Sequence, residues 1–216
     1  MGGVLLYDYW RSSASYRVRI ALALKGVAYE RVDIRLLEGD HKAAAHLARN
    51  PQGFVPALAI DGKVLTQSLA ILDYLDAKFP EPPLVSGDPA ERTKTLAQAL
   101  AIAADIHPLN NLRVTTYLRD VLGANQQARD SWSRHWMAEG FAALEILAAD
   151  AGIFLGGDEP DMADLCLVPQ LYNARRLELP LDAYPVLVRI DAAARALAPF
   201  AAAHPDRVGP GAGASP

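Results

Sequence analysis

The sequence is poor in cysteine, in positive charge and in long apolar runs, and each absence excludes a class of protein. Cys166 is the only cysteine among 216 residues, so neither an intramolecular disulfide framework nor a Cys-x-x-Cys redox pair can form. The 21 basic residues are outnumbered by 25 acidic ones, giving a formal net charge of −4, which provides no general attraction to nucleic acid or anionic lipid. No apolar run approaches the roughly 20 residues that cross a bilayer.

No basic segment followed by a long apolar stretch opens the given sequence, so we expect no secretory leader. With the single cysteine, this predicts a cytoplasmic protein that binds neither nucleic acid nor membrane. The hydrophobic content of 51% predicts a globular chain that can form one large domain or two of ordinary size.

The residue pattern changes near position 80. The first eighty residues alternate short strand-like and helical runs, with a hairpin at Asp61-Gly62, whose glycine supplies the positive φ of such turns. The proline-rich run 79–83 cannot continue a helix, and the chain beyond it has helical patterns at 89–122, 126–150, 161–177 and 184–203, the last interrupted at Pro199. We predict an α/β domain at 1–80, a linker at 81–88, an all-α domain at 89–208 and a disordered tail at 209–216.

Hydroxyl groups are concentrated in the turn that follows the first strand-like run, 4–8. Ser12, Ser13 and Ser15 stand where a helix begins. The unpaired N–H groups and the positive dipole end of a helix N-terminus favour negative charge, so a thiolate held there would be stabilised relative to its thiol. Arg11 would add a cation beside it. The alternative is that the serines only cap the helix.

Two further segments of the first eighty residues could bind a ligand. Gln67-Ser68 falls where a strand ends and a helix begins, which suits a carboxylate, although Ser68 could simply be the N-cap. Val55-Pro56 stands at the head of a strand; with a cis bond, the Val55 backbone could pair with an extended peptide, and an ordinary trans edge proline is the alternative.

The helical half contains two polar groups that interrupt its apolar pattern. At helical spacing, His107, Asn110 and Asn111 would share one face, with a kink at Pro108; they would line a cleft or satisfy the core. Arg176, with Arg175, could hold a carboxylate or form a solvated basic face. We assign the motif 161–164 to helix capping and expect a buried, inert Cys166.

Several motifs together resemble the zeta-class glutathione transferases, over about residues 4–205. The motifs are Arg11-Ser12-Ser13-Ala14-Ser15-Tyr16-Arg17-Val18-Arg19-Ile20-Ala21-Leu22, Asn50-Pro51-Gln52-Gly53-Phe54-Val55-Pro56, Gln67-Ser68-Leu69-Ala70-Ile71, Ile106-His107-Pro108-Leu109-Asn110-Asn111-Leu112 and Ala163-Asp164-Leu165-Cys166-Leu167-Val168-Pro169-Gln170. The resemblance implies a thioredoxin-like α/β N-terminal domain followed by an all-α domain, which is the glutathione transferase fold. It also implies a homodimer, glutathione as cofactor and no metal.

The resemblance carries roles onto particular residues of this chain. Ser12 and Ser13 resemble the residues whose hydroxyl groups stabilise the glutathione thiolate. Val55, before a cis Pro56, resembles the residue whose backbone pairs with the cysteinyl group of glutathione. The other implied glutathione contacts are Gln67 and Ser68 at the γ-glutamyl carboxylate and, elsewhere, His41, His107, Asn111, Leu112 and Arg113. Arg11 and Arg176 match positions associated with the carboxylates of the second substrate. Ala14 stands where many members have cysteine, so the chemistry rests on the serines and on the sulfur of glutathione.

The implied activity is the cis–trans isomerisation of maleylacetoacetate to fumarylacetoacetate in aromatic amino acid catabolism, by reversible thiolate addition. The sequence leaves three alternatives open. Maleylpyruvate could be the substrate instead, the same thiolate could dehalogenate or conjugate small α-halo acids, or the chain could be a non-catalytic binding module of this fold.

Overall fold

The computed structural model describes residues 3–209, which form two compact units. Within the described part, the first unit runs to Leu84 and resumes at Ala196, and the second unit is Val85–Arg195. Of the tail predicted at 209–216, all but Gly209 lies outside the described residues.

A four-stranded mixed sheet forms the centre of the first unit. Its strands are β1 (Leu5–Asp8), β2 (Glu30–Asp33), β3 (Ala57–Ile60) and β4 (Lys63–Thr66), in the order β2-β1-β3-β4. β1 runs parallel to β2 and antiparallel to β3, and β3 pairs antiparallel with β4. The hairpin predicted at Asp61-Gly62 is confirmed, since both residues have positive φ, at 52° and 72°. The α/β prediction for this half is therefore confirmed.

Ten helices are assigned within residues 3–209. They are α1 (Ser13–Leu24), α2 (Ala44–Leu47), α3 (Ser68–Lys78), α4 (Pro89–Leu100), α5 (Leu112–Asp120), α6 (Gln126–Leu147), α7 (Met162–Arg176), α8 (Pro185–Ala196), α9 (Ala198–Ala203) and α10 (Pro205–Val208). The interruption predicted at Pro199 is confirmed, because α8 ends before it and α9 begins anew. The all-α prediction for the second half is confirmed too.

Helix α1 is the most enclosed element of the first unit and packs against α3 and α9. Every residue from Ser15 to Leu22 is buried, including two arginines. Arg19 donates to both carboxylate oxygens of Asp8, at 2.8 and 2.9 Å, and to the main-chain oxygens of Trp10 and Ala203. A buried ion pair is tolerated when its remaining hydrogen bonds are satisfied in this way. Through Arg19, Ala203 of α9 is connected to α1 and to Asp8 of β1.

The prediction of one helix over 89–122 is wrong. α4 ends at Leu100 and is followed by a π-helical turn, Ala101–Ile106, and a 3₁₀ turn, His107–Asn110, before α5 starts. Pro108 has no N–H to continue an α-helical ladder, and Asn111 is extended, with φ −73° and ψ 151°. The alanine-rich segment 43–48 contains only the single turn α2.

Helix α7 is the central helix of the second unit, where all residues from Met162 to Leu171 are buried. The capping motif assigned to its start is confirmed: Asp161 accepts from the N–H groups of Ala163 and Asp164, while Asp164 accepts from the N–H of Asp161. Cys166 is buried as expected. None of the helices in the described part is long and apolar enough to cross a membrane.

Candidate active site

The N-terminus of α1 has features that favour the binding of an anion. Ser12 is its N-cap, and the Ser12 Oγ accepts from the Ser15 N–H at 3.2 Å, so the capping role is confirmed. The hydroxyl keeps its own hydrogen for donation. The first turn contains no acidic residue, so no side chain of that turn offsets the positive end of the helix dipole. Ser13 follows as the first helical residue and is 7% exposed.

Arg11 stands immediately before this turn. Its guanidinium carbon lies 4.5 Å from the centre of the Trp10 ring, which holds the side chain by a cation–π contact. Within residues 3–209 Arg11 takes part in no ion pair, and its Nε is buried without a hydrogen-bond partner. Arg11 therefore combines a fixed position with a charge that no carboxylate in the described residues pairs with.

Helix α3 presents a second open N-terminus. Gln67 is its N-cap and Ser68 its first helical residue, so the alternative of Ser68 as N-cap is wrong. Gln67 has φ 67°, a conformation that non-glycine residues seldom adopt and that is concentrated at functional sites. Its amide donates to Gln52 Oε1 at 2.7 Å. The Ser68 Oγ accepts from the buried Arg17 guanidinium at 3.1 Å.

The predicted cis bond between Val55 and Pro56 is confirmed. Neither the N–H nor the C=O of Val55 hydrogen-bonds to another group in the described part of the chain. The preceding carbonyl, of Phe54, accepts from His46 Nε2 at 2.9 Å and from Asn50 Nδ2 at 3.0 Å. The Val55 backbone is therefore held from behind and retains both groups for an extended ligand.

His41 belongs to the 3₁₀ turn Asp40–Lys42, which packs on the loop before Val55. A Cβ added to Gly53, whose φ is +65°, would lie 3.0 Å from the His41 main-chain oxygen, so glycine permits this close approach. Burial lowers the pKa of His41, and the charge of Lys42 lowers it further. Its Nδ1 is buried without a partner, so the neutral ring has a polar atom to offer.

In the second unit, the prediction that His107, Asn110 and Asn111 share a helical face is wrong for Asn111, which is extended and is the N-cap of α5. His107 and Asn110 lie three residues apart in one 3₁₀ turn, where such residues share a face. Asn110 donates to the Ile106 carbonyl at 2.8 Å and accepts from Asn173 Nδ2 at 3.0 Å, which joins the 3₁₀ turn to α7. Asn111 caps α5 by accepting from the Arg113 N–H at 3.0 Å. Asn110 is thus occupied within the protein.

The two arginines at the end of α7 have different surroundings. Arg175 donates to the buried Asp191 carboxylate at 2.6 Å, which Arg195 also approaches at 3.2 Å. Arg176 is exposed and lies 5.9 Å from the centre of the Tyr172 ring. Among residues 3–209 it forms no ion pair. The Arg176 guanidinium is therefore accessible to an external carboxylate. Leu112 and Arg113 are also exposed, at the start of α5.

Sequence reasoning missed the residues that support these groups from behind: Arg17 beneath Ser68, and His46 and Asn50 behind Val55. A signal existed for Arg17, because an arginine inside a run of buried residues must have a polar partner. No sequence signal identified His46. No group of three or more His, Cys, Asp or Glu side chains in the described chain could hold a metal ion.

Comparison with known proteins gives a consistent result. A family model described as "Glutathione S-transferase, N-terminal domain" matches residues 2–77. Among curated proteins, the maleylacetoacetate isomerase of Rhizobium meliloti is 50% identical over 208 residues, which cover 95% of this chain and 98% of that protein.

Two solved structures extend the likeness to three dimensions. The holo structure of a maleylpyruvate isomerase, described as a bacterial glutathione S-transferase of the zeta class, is 41% identical, with a TM-score of 0.93 over 96% of this chain and 99% of its own. The maleylacetoacetate isomerase of Anaeromyxobacter dehalogenans, with dicarboxyethyl glutathione and citrate bound in its active site, is 46% identical, with a TM-score of 0.86 over 97% of each chain.

Proposed function

Because the chain belongs to the zeta-class glutathione transferases, we propose that it catalyses the glutathione-dependent cis–trans isomerisation of maleylacetoacetate to fumarylacetoacetate. The observation that carries the proposal is the N-terminus of α1. There a serine cap, a first turn without acidic residues and an unneutralised Arg11 form one positive, hydroxyl-bearing site. Such a site stabilises a thiolate relative to a thiol.

The first unit has polar groups that fit glutathione at three places. Ser12 and Ser13, with the Ala14 N–H, suit the sulfur, and the unpaired Val55 N–H and C=O suit the cysteinyl peptide group. Gln67 and Ser68, at the N-terminus of α3, suit the γ-glutamyl carboxylate. We assign further contacts with the tripeptide to His41, His107, Asn111, Leu112 and Arg113.

When bound, glutathione supplies a thiolate that adds reversibly to the cis double bond. The bond between the two carbons is then single and permits rotation before the thiolate is expelled. Ser12 holds that sulfur in its anionic form by donating its hydroxyl hydrogen, and Ser13 assists. Ala14 contributes only its N–H, since it has no thiol.

Arg11 and Arg176 act on the second substrate. Maleylacetoacetate carries two carboxylates, and guanidinium groups bind carboxylates through paired hydrogen bonds. Addition to the double bond shifts negative charge onto the conjugated carbonyl oxygen, and a fixed cation stabilises that charge where it develops. Both arginines have unneutralised charge in the described chain, which supports these roles.

Maleylpyruvate is the second candidate substrate. The likeness to a maleylpyruvate isomerase, at 41% identity and a TM-score of 0.93, favours it, and the same arginines would bind its carboxylates. The two compounds differ by a single methylene between the terminal ketone and its carboxylate, remote from the double bond, and the residues identified above do not distinguish them.

We also propose that the protein is a cytoplasmic homodimer, on the strength of its family and its single buried cysteine. The domain limits of 1–80, 81–88 and 89–208 stay predictions.

The test is to incubate the purified protein with a catalytic amount of glutathione and an excess of either maleylacetoacetate or maleylpyruvate, following cis-to-trans conversion. We expect many turnovers for each glutathione, with glutathione recovered unchanged. Stoichiometric loss of glutathione would indicate conjugation instead, and no conversion of either compound would reject the proposal.

A further inference from the structure

Arg17 is a buried cation whose position is unusual for a structural residue. It is 1% exposed, in the middle of α1, and its Nη1 donates to the Ser68 Oγ at 3.1 Å. Ser68 lies 51 residues away in the sequence, at the first position of α3. The hydrogen bond therefore joins the interior of one helix to the open N-terminus of another.

Arg19 shows how an arginine with a purely structural role is bound in the same helix. It is equally buried, and its hydrogen bonds end on the Asp8 carboxylate and on main-chain oxygens. Those acceptors are all protein groups that need a donor. Among the contacts of Arg17 is one of a different kind: it donates to a hydroxyl group, which has a hydrogen of its own to place.

The direction of that hydrogen bond decides what Ser68 can do. A guanidinium has donors only, so the Ser68 oxygen must be the acceptor. The hydroxyl hydrogen must then point to a different atom, and the Ser68 hydroxyl donates to no acceptor among residues 3–209. Without Arg17, the hydroxyl could instead turn its oxygen toward the unpaired N–H groups at the start of α3 and serve as an acceptor there.

We propose that Arg17 is a positioning residue that fixes Ser68 as a hydrogen-bond donor to the carboxylate bound at the N-terminus of α3. The inference rests on the proposed function, in which this carboxylate belongs to the γ-glutamyl group of glutathione. Arg17 touches neither glutathione nor the reacting atoms. It acts through the orientation of one hydroxyl group.

The experiment compares two ligands by calorimetry: glutathione, and 4-aminobutyryl-cysteinylglycine, which lacks only the γ-glutamyl α-carboxylate. The quantity measured is the dissociation constant of the analogue divided by that of glutathione. This ratio isolates the carboxylate, because a general loss of packing weakens both ligands alike. It is determined for the native protein, Arg17→Met, Ser68→Ala and the double variant.

We expect Ser68→Ala to reduce the ratio about tenfold, the size of a hydrogen bond to a charged group, and Arg17→Met to reduce it about three- to tenfold. The double variant should match Ser68→Ala, because Arg17 acts only through that hydroxyl. Arg19→Met is the matched control: it removes an equally buried arginine of α1 and should lower the melting temperature without changing the ratio.

Three results would overturn the inference. Arg17→Met could weaken both ligands equally, which indicates a structural role only. The effects of the two substitutions could multiply in the double variant. Ser68→Ala could leave the ratio unchanged, an outcome that decides the matter even if Arg17→Met does not fold. If one of these results is found but the native protein still isomerises its substrate, the proposed function stands and only the role of Arg17 is rejected. If the native protein shows no saturable binding of glutathione, both the proposed function and the role of Arg17 are rejected.

Discussion

Helices α1 and α7 begin with opposite arrangements of charge. At α7, Asp161 and Asp164 accept from the N–H groups of the first turn, and Asp164 also accepts from the Leu155 and Gly156 N–H groups. At α1, a neutral serine takes one N–H and no acidic residue follows. The first arrangement closes a helix N-terminus with the protein's own anions, and the second leaves it for an anion from outside.

The difference is visible in electrostatics as well as in hydrogen bonds. Burial, together with the neighbouring Asp161 carboxylate, raises the pKa of Asp164 to about 7, although three N–H donors act in the opposite direction. The N–H groups at the start of α7 are therefore already occupied by two carboxyl groups of the protein itself. The start of α1 has its helix dipole and Arg11, with no acidic residue in its first turn and no ion pair to Arg11 among residues 3–209, which favours binding of a thiolate.

The largest effect is expected from removing the hydroxyl at the open N-terminus. Ser12→Ala should lower kcat/KM for isomerisation by about 10²- to 10³-fold, as with the loss of one donor to a developing anion. The matched control is Ser15→Ala, which removes a fully buried hydroxyl one turn further along α1 and should retain most activity. Equal activity of Ser12→Ala and the native protein would exclude the serine role.

The two arginines at the end of α7 provide a second comparison, between a charge that is paired within the protein and one that is not paired within the described residues. Arg176→Ala should raise KM for the dicarboxylate substrate about 10- to 100-fold with little change in glutathione affinity, since the lost guanidinium bound only the second substrate. Arg175→Ala should instead lower stability, because it removes a partner of the buried Asp191. Steady-state kinetics and thermal unfolding distinguish the two, and a loss of glutathione affinity in Arg176→Ala would contradict the assignment.

Adding an acid to α1 would make it resemble α7. Ala14→Asp places a carboxylate in the first turn, which should raise the pKa of the bound glutathione thiol by about one unit and lower kcat/KM at neutral pH about tenfold. Ala14→Asn has nearly the same size without the charge and should change both much less. If the two variants behave alike, shape and not charge governs the site.

The closed N-terminus of α7 should affect stability and its pH dependence. Asp164 has a higher pKa in the folded chain than in the unfolded one, so its contribution is complete at acid pH and is lost as the pH rises through about 7. The free energy of unfolding should fall by about 1–3 kcal/mol between about pH 5 and pH 8 relative to Asp164→Asn. Chemical denaturation at several pH values measures it.

The exposed Asp150→Asn serves as the control, since it removes a carboxylate from the surface of the same unit and should follow the pH profile of the native protein. A profile of Asp164→Asn that coincides with both would show that this carboxylate does not titrate in that range.

The features that could be predicted from sequence are those set by neighbouring residues. The turn at Asp61-Gly62 and the cap at Ser12 depend on local backbone preferences, so they were accessible. The kink at Pro108 was accessible too, because proline has no N–H for the helical ladder. The π-helical turn Ala101–Ile106 before it was not, because no proline or glycine marks it in the sequence. Arg17 could be recognised as needing a partner, but not that the partner is Ser68, since the contact spans 51 residues.

The family resemblance supplied the roles of the site residues, and local chemistry explained why those residue types suit them. It could not supply the supporting contacts. His46 holds the Phe54 carbonyl only because the chain returns beside it after α2, and such a return depends on tertiary packing that no local pattern encodes.

We propose that the N-terminus of α1 stabilises the glutathione sulfur as an anion. The most direct test is an ultraviolet titration of thiolate absorbance for glutathione bound to the native protein, against free glutathione in the same buffer. We expect the pKa of the bound thiol to lie at least about one unit below that of the free thiol. A bound thiol that titrates at the same pH as the free one would contradict it.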